Sequence, residues 1–172
     1  MNQTTSTKNR ILAVSLSTRG FGYAVMEGES SFVDYGVKLI TGDMKNIQSL
    51  GKMEKLINYY QPDMLVLQDV NAKGTHRAER IRTLHRNIIA LARERKLKTV
   101  TFSRIQVRTA LLHDSNGTKH DMATTLANQF PDELASRLPP KRKPWKSEDA
   151  RMDIFEAVGL AVTFQKTTHL AL

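Results

Sequence analysis

The 172-residue sequence contains no cysteine, which removes several kinds of site at once. Disulfides, thiolate metal centres and a cysteine nucleophile are all excluded. The sequence also lacks any apolar run close to the roughly 20 residues that a membrane helix needs. The polar residues 1–9 have no apolar core of the kind that a secretory signal carries. We therefore predict a flexible tail at 1–9 and a cytoplasmic protein with no membrane partner.

Acidic residues are scarce as well, since 17 Asp and Glu stand against 26 Lys and Arg, for a net charge of +9. Such an excess favours a polyanion partner, chiefly nucleic acid and in particular DNA, although a merely basic soluble protein is the alternative. The positive charge is clustered at 76–98 and again at 137–146. The residues predicted to contact nucleic acid are Arg77, Arg80, Lys119, Lys141, Arg142, Lys143, Trp145 and Lys146.

Two of these residues have an alternative interpretation. Lys119 lies just before a predicted helix, so it either faces a phosphate or belongs to a solvated helix start. Trp145 lies among the linker charges, where it either stacks on a base or covers an edge of the core.

Hydrophobic patterning predicts three strands followed by alternating helices and strands. The nearly continuous apolar run at 10–16 is typical of a strand that is covered on both faces. Turn residues separate it from two further strands, at 21–26 and 32–39. Helical spacing predicts helices at 43–60 and 76–96, with strands at 64–70 and 99–102.

The remaining sequence predicts helices at 104–113 and 119–130, a basic linker broken by prolines, and a last helix at 146–165. Ser147 is the predicted N-cap of that helix, with Glu148 and Asp149 in its first turn. The element order predicts an α/β fold with a mixed five-stranded sheet, three antiparallel strands first and then βαβ units, flanked by helices on both faces. We expect one domain at 10–166 and a short C-terminal tail at 167–172.

Four segments in this order resemble the RuvC family of Holliday-junction resolvases, which has an RNase H-like fold. They lie at 11–25, 64–70, 104–108 and 153–163, and the first contains an apolar strand, a small turn and Gly-Tyr-Ala-Val. The resemblance covers most of residues 10–164. It implies an RNase H-like domain that acts on branched or duplex DNA, a divalent-metal cofactor, and a possible homodimer formed through the second long helix.

The sequence departs from this family at the acidic site. The family's four acids gather two divalent metal ions that activate water and stabilise the leaving oxygen. In this chain Ser15 and Gln68 stand where the family has Asp and Glu, while the last helix keeps Asp153 and Glu156. Because Mg²⁺ prefers charged oxygen ligands, the two neutral residues should lower metal affinity sharply. The resemblance implies that Asp153 and Glu156 are the catalytic and metal-ligating residues, in a relic or a working site.

Two further acids are candidates to complete the site. Asp69 adjoins Gln68 and is the predicted third catalytic residue, although a bulge or the strand end would have to turn its side chain to the same face. Asp149, Asp153 and Glu156 share one face of the predicted last helix. The charge of Asp149 would equally suit a helix start.

Three function classes remain open. The first is a binding module for branched or duplex DNA with weak or no nuclease activity, with or without a divalent-metal cofactor. The second is a structure-selective endonuclease that depends on Mg²⁺ or Mn²⁺ and has a rebuilt acidic site. The third is a protein-interaction scaffold. The apolar stripe of the helix at 76–96 either forms a dimer interface or packs on the sheet.

Overall fold

The order of strands and helices in the computed structural model is the predicted one, except that a short helix at Pro131–Leu134 and a 3-10 helix at Ala135–Arg137 lie where a linker was predicted. The structure describes residues 9–114 and 116–170, so residues 1–8 of the predicted tail at 1–9 and residues 171–172 of the predicted C-terminal tail lie outside it. The strands are β1 (Arg10–Ser17), β2 (Gly20–Glu27), β3 (Ser31–Leu39), β4 (Met64–Gln68) and β5 (Lys98–Phe102). The helices are α1 (Lys45–Tyr60), α2 (Glu79–Glu94), α3 (Arg104–Leu112), α4 (Lys119–Gln129), α5 (Pro131–Leu134) and α6 (Met152–Leu170), with a 3-10 helix at Ala135–Arg137.

The five strands form one mixed sheet in the order β3-β2-β1-β4-β5. β1, β2 and β3 are antiparallel neighbours, whereas β4 is parallel to both β1 and β5. The predicted fold class is therefore confirmed. β1 lies at the centre of the sheet, and the apolar run that predicted a strand covered on both faces is buried throughout.

Helices cover both faces of the sheet. Leu12 and Val14 of β1 belong to the core formed with α1 and α2, while Ile11 and Ala13 belong to the core formed with α3, α4 and α6. The apolar stripe of α2 lies in the first of these cores and is buried within the single chain; it consists of Ile81, Leu84, Ile88 and Leu91. A dimer interface through this stripe is therefore excluded, because the stripe packs on the sheet.

The last helix begins later than predicted. The predicted start at 146, with Ser147 as N-cap, is wrong, since α6 begins at Met152. Arg19 donates from Nη1 to the carbonyl oxygen of Glu148 (2.6 Å), which holds this backbone outside the helix. Asp149 supplies the side-chain oxygen of the preceding turn, because its Oδ1 accepts from the backbone nitrogen of Arg151 (2.9 Å). The helix then continues to Leu170, beyond the predicted domain boundary at 166.

A glycine in β2 sets the approach of α6 to the sheet. A Cβ atom at Gly22 would lie only 2.1 Å from the backbone oxygen of Asp153 and 2.7 Å from its Cβ. No other residue type fits such a gap without a shift of the helix. Gly22 is the partner of Ser15 in the β1–β2 ladder, so this close approach places Asp153 beside the end of β1.

None of the helices in residues 9–114 and 116–170 has the length and apolar character needed to cross a bilayer.

Candidate functional site

The candidate site lies where β1 and β4 end on the face of the sheet that α6 covers. The parallel register pairs Ala13 with Val66 and Val14 with Leu67, which brings Ser15 and Gln68 next to each other. Both side chains line a cavity that Glu156 of α6 also lines. The cavity thus brings together three of the four positions that the family resemblance identified, and the fourth, Asp153, has a carboxylate oxygen within 4.8 Å of one of Glu156.

Three carboxylates gather at this point and form what we call the acidic cluster: Glu148, Asp153 and Glu156. One oxygen of each lies within 4.8 Å of the others. Asp153 and Glu156 were predicted as site residues, whereas Glu148 was predicted only as an acid of a helix start. Glu148 lies in the irregular segment before α6, where no hydrophobic period fixes the direction of a side chain. Only its proximity in sequence to Asp153 could have signalled it.

Two serines of β1 bind the acidic cluster. Ser15 donates from Oγ to Oε2 of Glu156 (2.9 Å), and Ser17 donates from Oγ to Oδ2 of Asp153 (2.8 Å). Residues two apart on a strand share a face, so both hydroxyls point toward α6. Sequence reasoning did not identify Ser17. The hydroxyl that replaces the family's first acid therefore acts here as a hydrogen-bond donor to a carboxylate.

Lys119 supplies a positive charge between two acids of the cluster, Glu148 and Glu156. Its Nζ lies 2.8 Å from Oε1 of Glu156 and 3.2 Å from Oε2 of Glu148. It is the first residue of α4, and a capping box fixes that helix start, since Thr118 accepts from the backbone of Asp121 and Asp121 accepts from the backbone of Thr118. Lys119 therefore stands at a helix start, as one alternative has it, but its ammonium is paired with carboxylates, and its contact with a phosphate stays a prediction.

Three arginines add further positive charge. Arg19, in the turn between β1 and β2, has Nε 3.7 Å from Oδ2 of Asp153. Arg77 precedes α2, rather than lying on it as predicted, and its guanidinium donates to the carbonyl oxygen of Leu16. Arg104, the first residue of α3, lines the same cavity as Glu156. Four cations thus surround the three carboxylates.

The two acids of α6 have opposite pKa shifts. Burial raises the pKa of Asp153 to about 6, against the hydrogen bond from Ser17 and the charge of Arg19, which lower it. Burial also opposes ionisation of Glu156, but the Lys119 ammonium and the hydrogen bonds from Lys119 and Ser15 outweigh it, so the pKa of Glu156 lies below its usual value. Glu156 is therefore a charged, paired carboxylate, and Asp153 is the acid that titrates nearer to neutral pH.

Asp69 does not join the acidic cluster. β4 alternates regularly, so Leu65 and Leu67 face the core with α1 and α2, and Asp69 continues on that side. Its Oδ1 accepts from the backbone nitrogen of Asn71 (2.9 Å), and its charge raises the pKa of the buried His85 of α2, which desolvation lowers overall. The prediction of Asp69 as the third acid of the site is therefore corrected, because Glu148 holds that place.

Asp149 is also separate from the acidic cluster. It lies before α6, so the predicted single helix face with Asp153 and Glu156 does not exist. Its carboxylate forms an ion pair with Arg151 (2.8 Å), and the hydrogen bonds from Arg151 lower the pKa of Asp149 to about 2.

The linker before α6 carries the predicted basic side chains at the surface. Lys141, Arg142, Lys143, Trp145 and Lys146 are all exposed. Trp145 is 76% exposed, so the alternative that it covers an edge of the core is wrong. A groove of about 340 Å³ runs between this linker and α4, and its lining includes Lys119, Lys141, Arg142 and Glu148.

Arg80, like Arg77, is a predicted nucleic-acid contact whose guanidinium has partners within the chain. Its guanidinium donates to Oδ1 of Asn46 (3.0 Å) and to the carbonyl oxygen of Thr18 (3.1 Å). It thereby ties α2 to α1 and to the turn between β1 and β2.

The donor set does not fit a two-metal centre. Ser15 and Gln68 provide no charge, and the carboxylate oxygens of Glu156 and Asp153 already accept hydrogen bonds from Lys119, Ser15 and Ser17. An ion that used Glu148 and Glu156 would have to displace the Lys119 ammonium from between them. A hard divalent ion that needs anionic oxygen ligands therefore competes with a cation that belongs to the chain.

Comparison with solved structures shows which known proteins share this fold. No protein-family model and no curated protein matches the sequence. Thermus thermophilus RuvC matches with a TM-score of 0.67 and 12% identity over 94% of this chain and 96% of that chain. The T. thermophilus RuvC complex with a Holliday junction substrate matches with a TM-score of 0.69 and 11% identity, over 95% of this chain and 96% of that chain. The yeast mitochondrial Holliday junction resolvase Ydc2 matches with a TM-score of 0.63 and 13% identity, over 96% of this chain and 85% of that chain. The chain therefore has the RNase H-like fold of the RuvC-type resolvases.

Proposed function

We propose that this chain is a nucleic-acid-binding protein that holds branched or duplex DNA with weak or no nuclease activity. The observation that carries the proposal is the ion pair between Lys119 and Glu156 (2.8 Å) inside the acidic cluster. A site for two-metal hydrolysis needs anionic ligands that are free to bind the ions. Here the corresponding carboxylates are paired with lysine and serine side chains.

The layering of charge favours a bound phosphate. The side chains of Lys119 and Arg19 are 33% and 32% exposed, whereas those of Asp153 and Glu156 are only 2% and 21% exposed. These two cations thus lie nearer to solvent than the acids of α6, while Glu148, at 30%, is about as exposed as Lys119. A phosphate oxygen that approaches from solvent can therefore reach Lys119 and Arg19 before Asp153 and Glu156, and charge-assisted hydrogen bonds from Lys and Arg are strong contacts of this kind.

The surface beyond the site extends this positive charge. The groove between α4 and the linker runs from Lys119 to Lys141 and Arg142. Contacts to successive phosphates fix the position of a duplex without reading its sequence. The similarity to a RuvC structure that holds a Holliday junction supports DNA as the partner.

The experiment that tests the proposal compares a labelled four-way DNA junction with a linear duplex at low salt, with Mn²⁺ or with EDTA. We expect binding of both that weakens steeply as salt rises, without cleavage. Cleavage that requires Mn²⁺ and disappears in Asp153→Ala would overturn the proposal. A complete lack of binding would leave the protein-interaction scaffold.

A second candidate function is a structure-selective endonuclease that depends on Mg²⁺ or Mn²⁺. The observation in its favour is Glu148, which brings the number of neighbouring carboxylates to three. In this case Lys119 would move from the cluster to a scissile phosphate. Metal-dependent cleavage that is lost in Glu148→Gln as well as in Asp153→Asn would establish it, with Asp149→Asn as the matched control outside the cluster.

A further inference from the structure

A short turn in the linker presents a single aromatic ring to solvent. The backbone nitrogen of Lys146 donates to the carbonyl oxygen of Lys143 (3.0 Å), which closes a four-residue turn at 143–146 with Pro144 and Trp145 at its centre. Proline presets the backbone angle of the first central position of such turns. Arg142 adds a second tie, since its Nη1 donates to the carbonyl oxygen of Lys146 (2.8 Å). The turn therefore holds Trp145 in place outside the core.

The ring of Trp145 is available for stacking. It is 76% exposed, and Lys143 Nζ lies 5.6 Å from the ring centroid. A large exposed aromatic side chain in a turn adds little to the stability of a fold, because folding does not remove it from water. The ring of Trp145 leaves water only when a ligand with a flat, apolar surface stacks on it.

The surroundings of the turn select an anionic partner. Residues 135–147 contain five Lys and Arg and no Asp or Glu. An aromatic ring within a basic surface is the arrangement that binds single-stranded nucleic acid, because the bases stack on the ring while the cations follow the backbone. A lipid surface fits less well, since an interfacial segment needs a broad apolar face and this turn offers one ring.

The groove beside α4 lies between the linker and the candidate site. Its lining includes Lys119, Lys141 and Arg142 together with the acids Glu148 and Asp149, and Trp145 follows Arg142 by three residues along the linker. Arg142 also donates to the carbonyl oxygen of Lys146, so the groove and the turn share this residue. A strand whose base stacks on Trp145 can therefore place its neighbouring phosphates near Lys141 and Arg142.

We infer that the turn at 143–146 binds an unpaired nucleobase by stacking on Trp145, so that the protein prefers DNA with open or single-stranded bases to a fully paired duplex. The inference rests on the proposed function, because it assumes the same DNA partner. It adds a class of substrate and a residue that selects it.

Trp145 is the only tryptophan of the chain, so intrinsic tryptophan fluorescence reports on it alone. The test titrates the full chain at low salt with a short oligothymidylate or with a blunt duplex, and follows both tryptophan emission and the anisotropy of a label on the DNA. We expect the single strand to quench the emission over the range in which anisotropy rises, with little quenching by the duplex. Binding by anisotropy without any change in emission would overturn the inference and leave the proposed function intact.

Substitutions sharpen the test. Trp145→Ala should weaken binding of the oligothymidylate by about fivefold or more and leave duplex binding within about twofold, and Trp145→Phe should retain most of the affinity. Tyr59→Ala is the matched control, since Tyr59 is 79% exposed on α1, far from the linker in sequence. An equal loss of affinity for the single strand and for the duplex in Trp145→Ala would overturn the preference for unpaired bases.

Two further outcomes are distinguishable. If anionic vesicles change the tryptophan emission and the single strand does not, the turn binds a membrane surface and the inference is overturned. Failure of every DNA to bind would overturn the proposed function as well.

Discussion

The ammonium of Lys119 lies 2.8 Å from Oε1 of Glu156, so the first residue of α4 forms an ion pair with the second turn of α6. The pair joins two helices and places a cation of the chain within an acidic cluster. The same contact explains why Glu156 has a lowered pKa in spite of its burial. It also separates this site from one that is built around divalent ions.

Removal of the cation tests the structural role of this pair. Lys119→Ala should lower the free energy of unfolding by about 1–3 kcal/mol, because two carboxylates lose their partner in a partly desolvated site. The expected value is below that of a fully buried pair, since both side chains remain partly exposed. Chemical denaturation measures it, with Lys141→Ala, an exposed linker lysine, as a control that should stay within about 0.5 kcal/mol. Equal stability of the two variants would contradict the prediction.

The raised pKa of Asp153 predicts a pH dependence of stability. The carboxyl titrates at about 6 in the folded chain instead of 3.8, so the unfolded chain loses its proton first as pH rises. The stabilisation from this group is therefore complete at low pH and is lost between about pH 4 and 6, by roughly 2–3 kcal/mol. The measurement is urea unfolding of the native chain and of Asp153→Asn across this range. The variant should gain stability relative to the native chain as pH rises, and a constant difference would count against the assignment.

Restoring the two family acids tests the loss of metal binding. The double variant Ser15→Asp, Gln68→Glu adds two negative charges next to Glu156, so we expect a less stable chain in EDTA that Mn²⁺ stabilises again. The native chain should show no comparable Mn²⁺ effect in thermal unfolding. Cleavage of a four-way junction by the double variant alone would agree with the proposed function, whereas an equal Mn²⁺ shift in the native chain would contradict the exclusion of metal by Lys119.

The basic linker should account for part of the salt dependence of DNA binding. Lys141→Ala, Lys143→Ala removes two exposed cations beside the groove, so the slope of log affinity against log salt should become shallower by up to about 2. Lys52→Ala, Lys55→Ala removes the same charge from exposed positions of α1 and is the matched control. If both pairs reduce the slope equally, the linker has no special part in binding.

The close approach of α6 to β2 predicts a large effect at one glycine. Gly22→Ala places a methyl group 2.1 Å from the backbone oxygen of Asp153, so α6 must shift and the stability should fall by about 1–3 kcal/mol or more. Gly51→Ala is the matched control, since nothing lies within 4 Å of its Cβ position in α1, and it should stabilise the chain by about 0.5–1 kcal/mol. Thermal or chemical unfolding measures both, and similar behaviour of the two variants would contradict the packing argument.

Sequence patterns with a short period predicted the elements well. The apolar run of β1 and the stripe of α2 each report a local periodicity, and both were found in the predicted places. The first and last residues of an element were predicted less well where a contact with a distant part of the chain decides them. α6 starts at Met152 because Arg19, far away in the sequence, holds the carbonyl oxygen of Glu148 outside the helix.

The sequence by itself determined the order of the strands and helices along the chain and the mixed sheet, because local periodicity marks each element, and its resemblance to the RuvC family implied that Ser15, Gln68, Asp153 and Glu156 belong to one site. Only the tertiary structure decided the chemistry of that place. Glu148 replaces Asp69 as the third acid, Ser17 donates to Asp153, and Lys119 enters from α4. These contacts join residues from separate elements, and their geometry depends on how the elements pack, which no local period encodes.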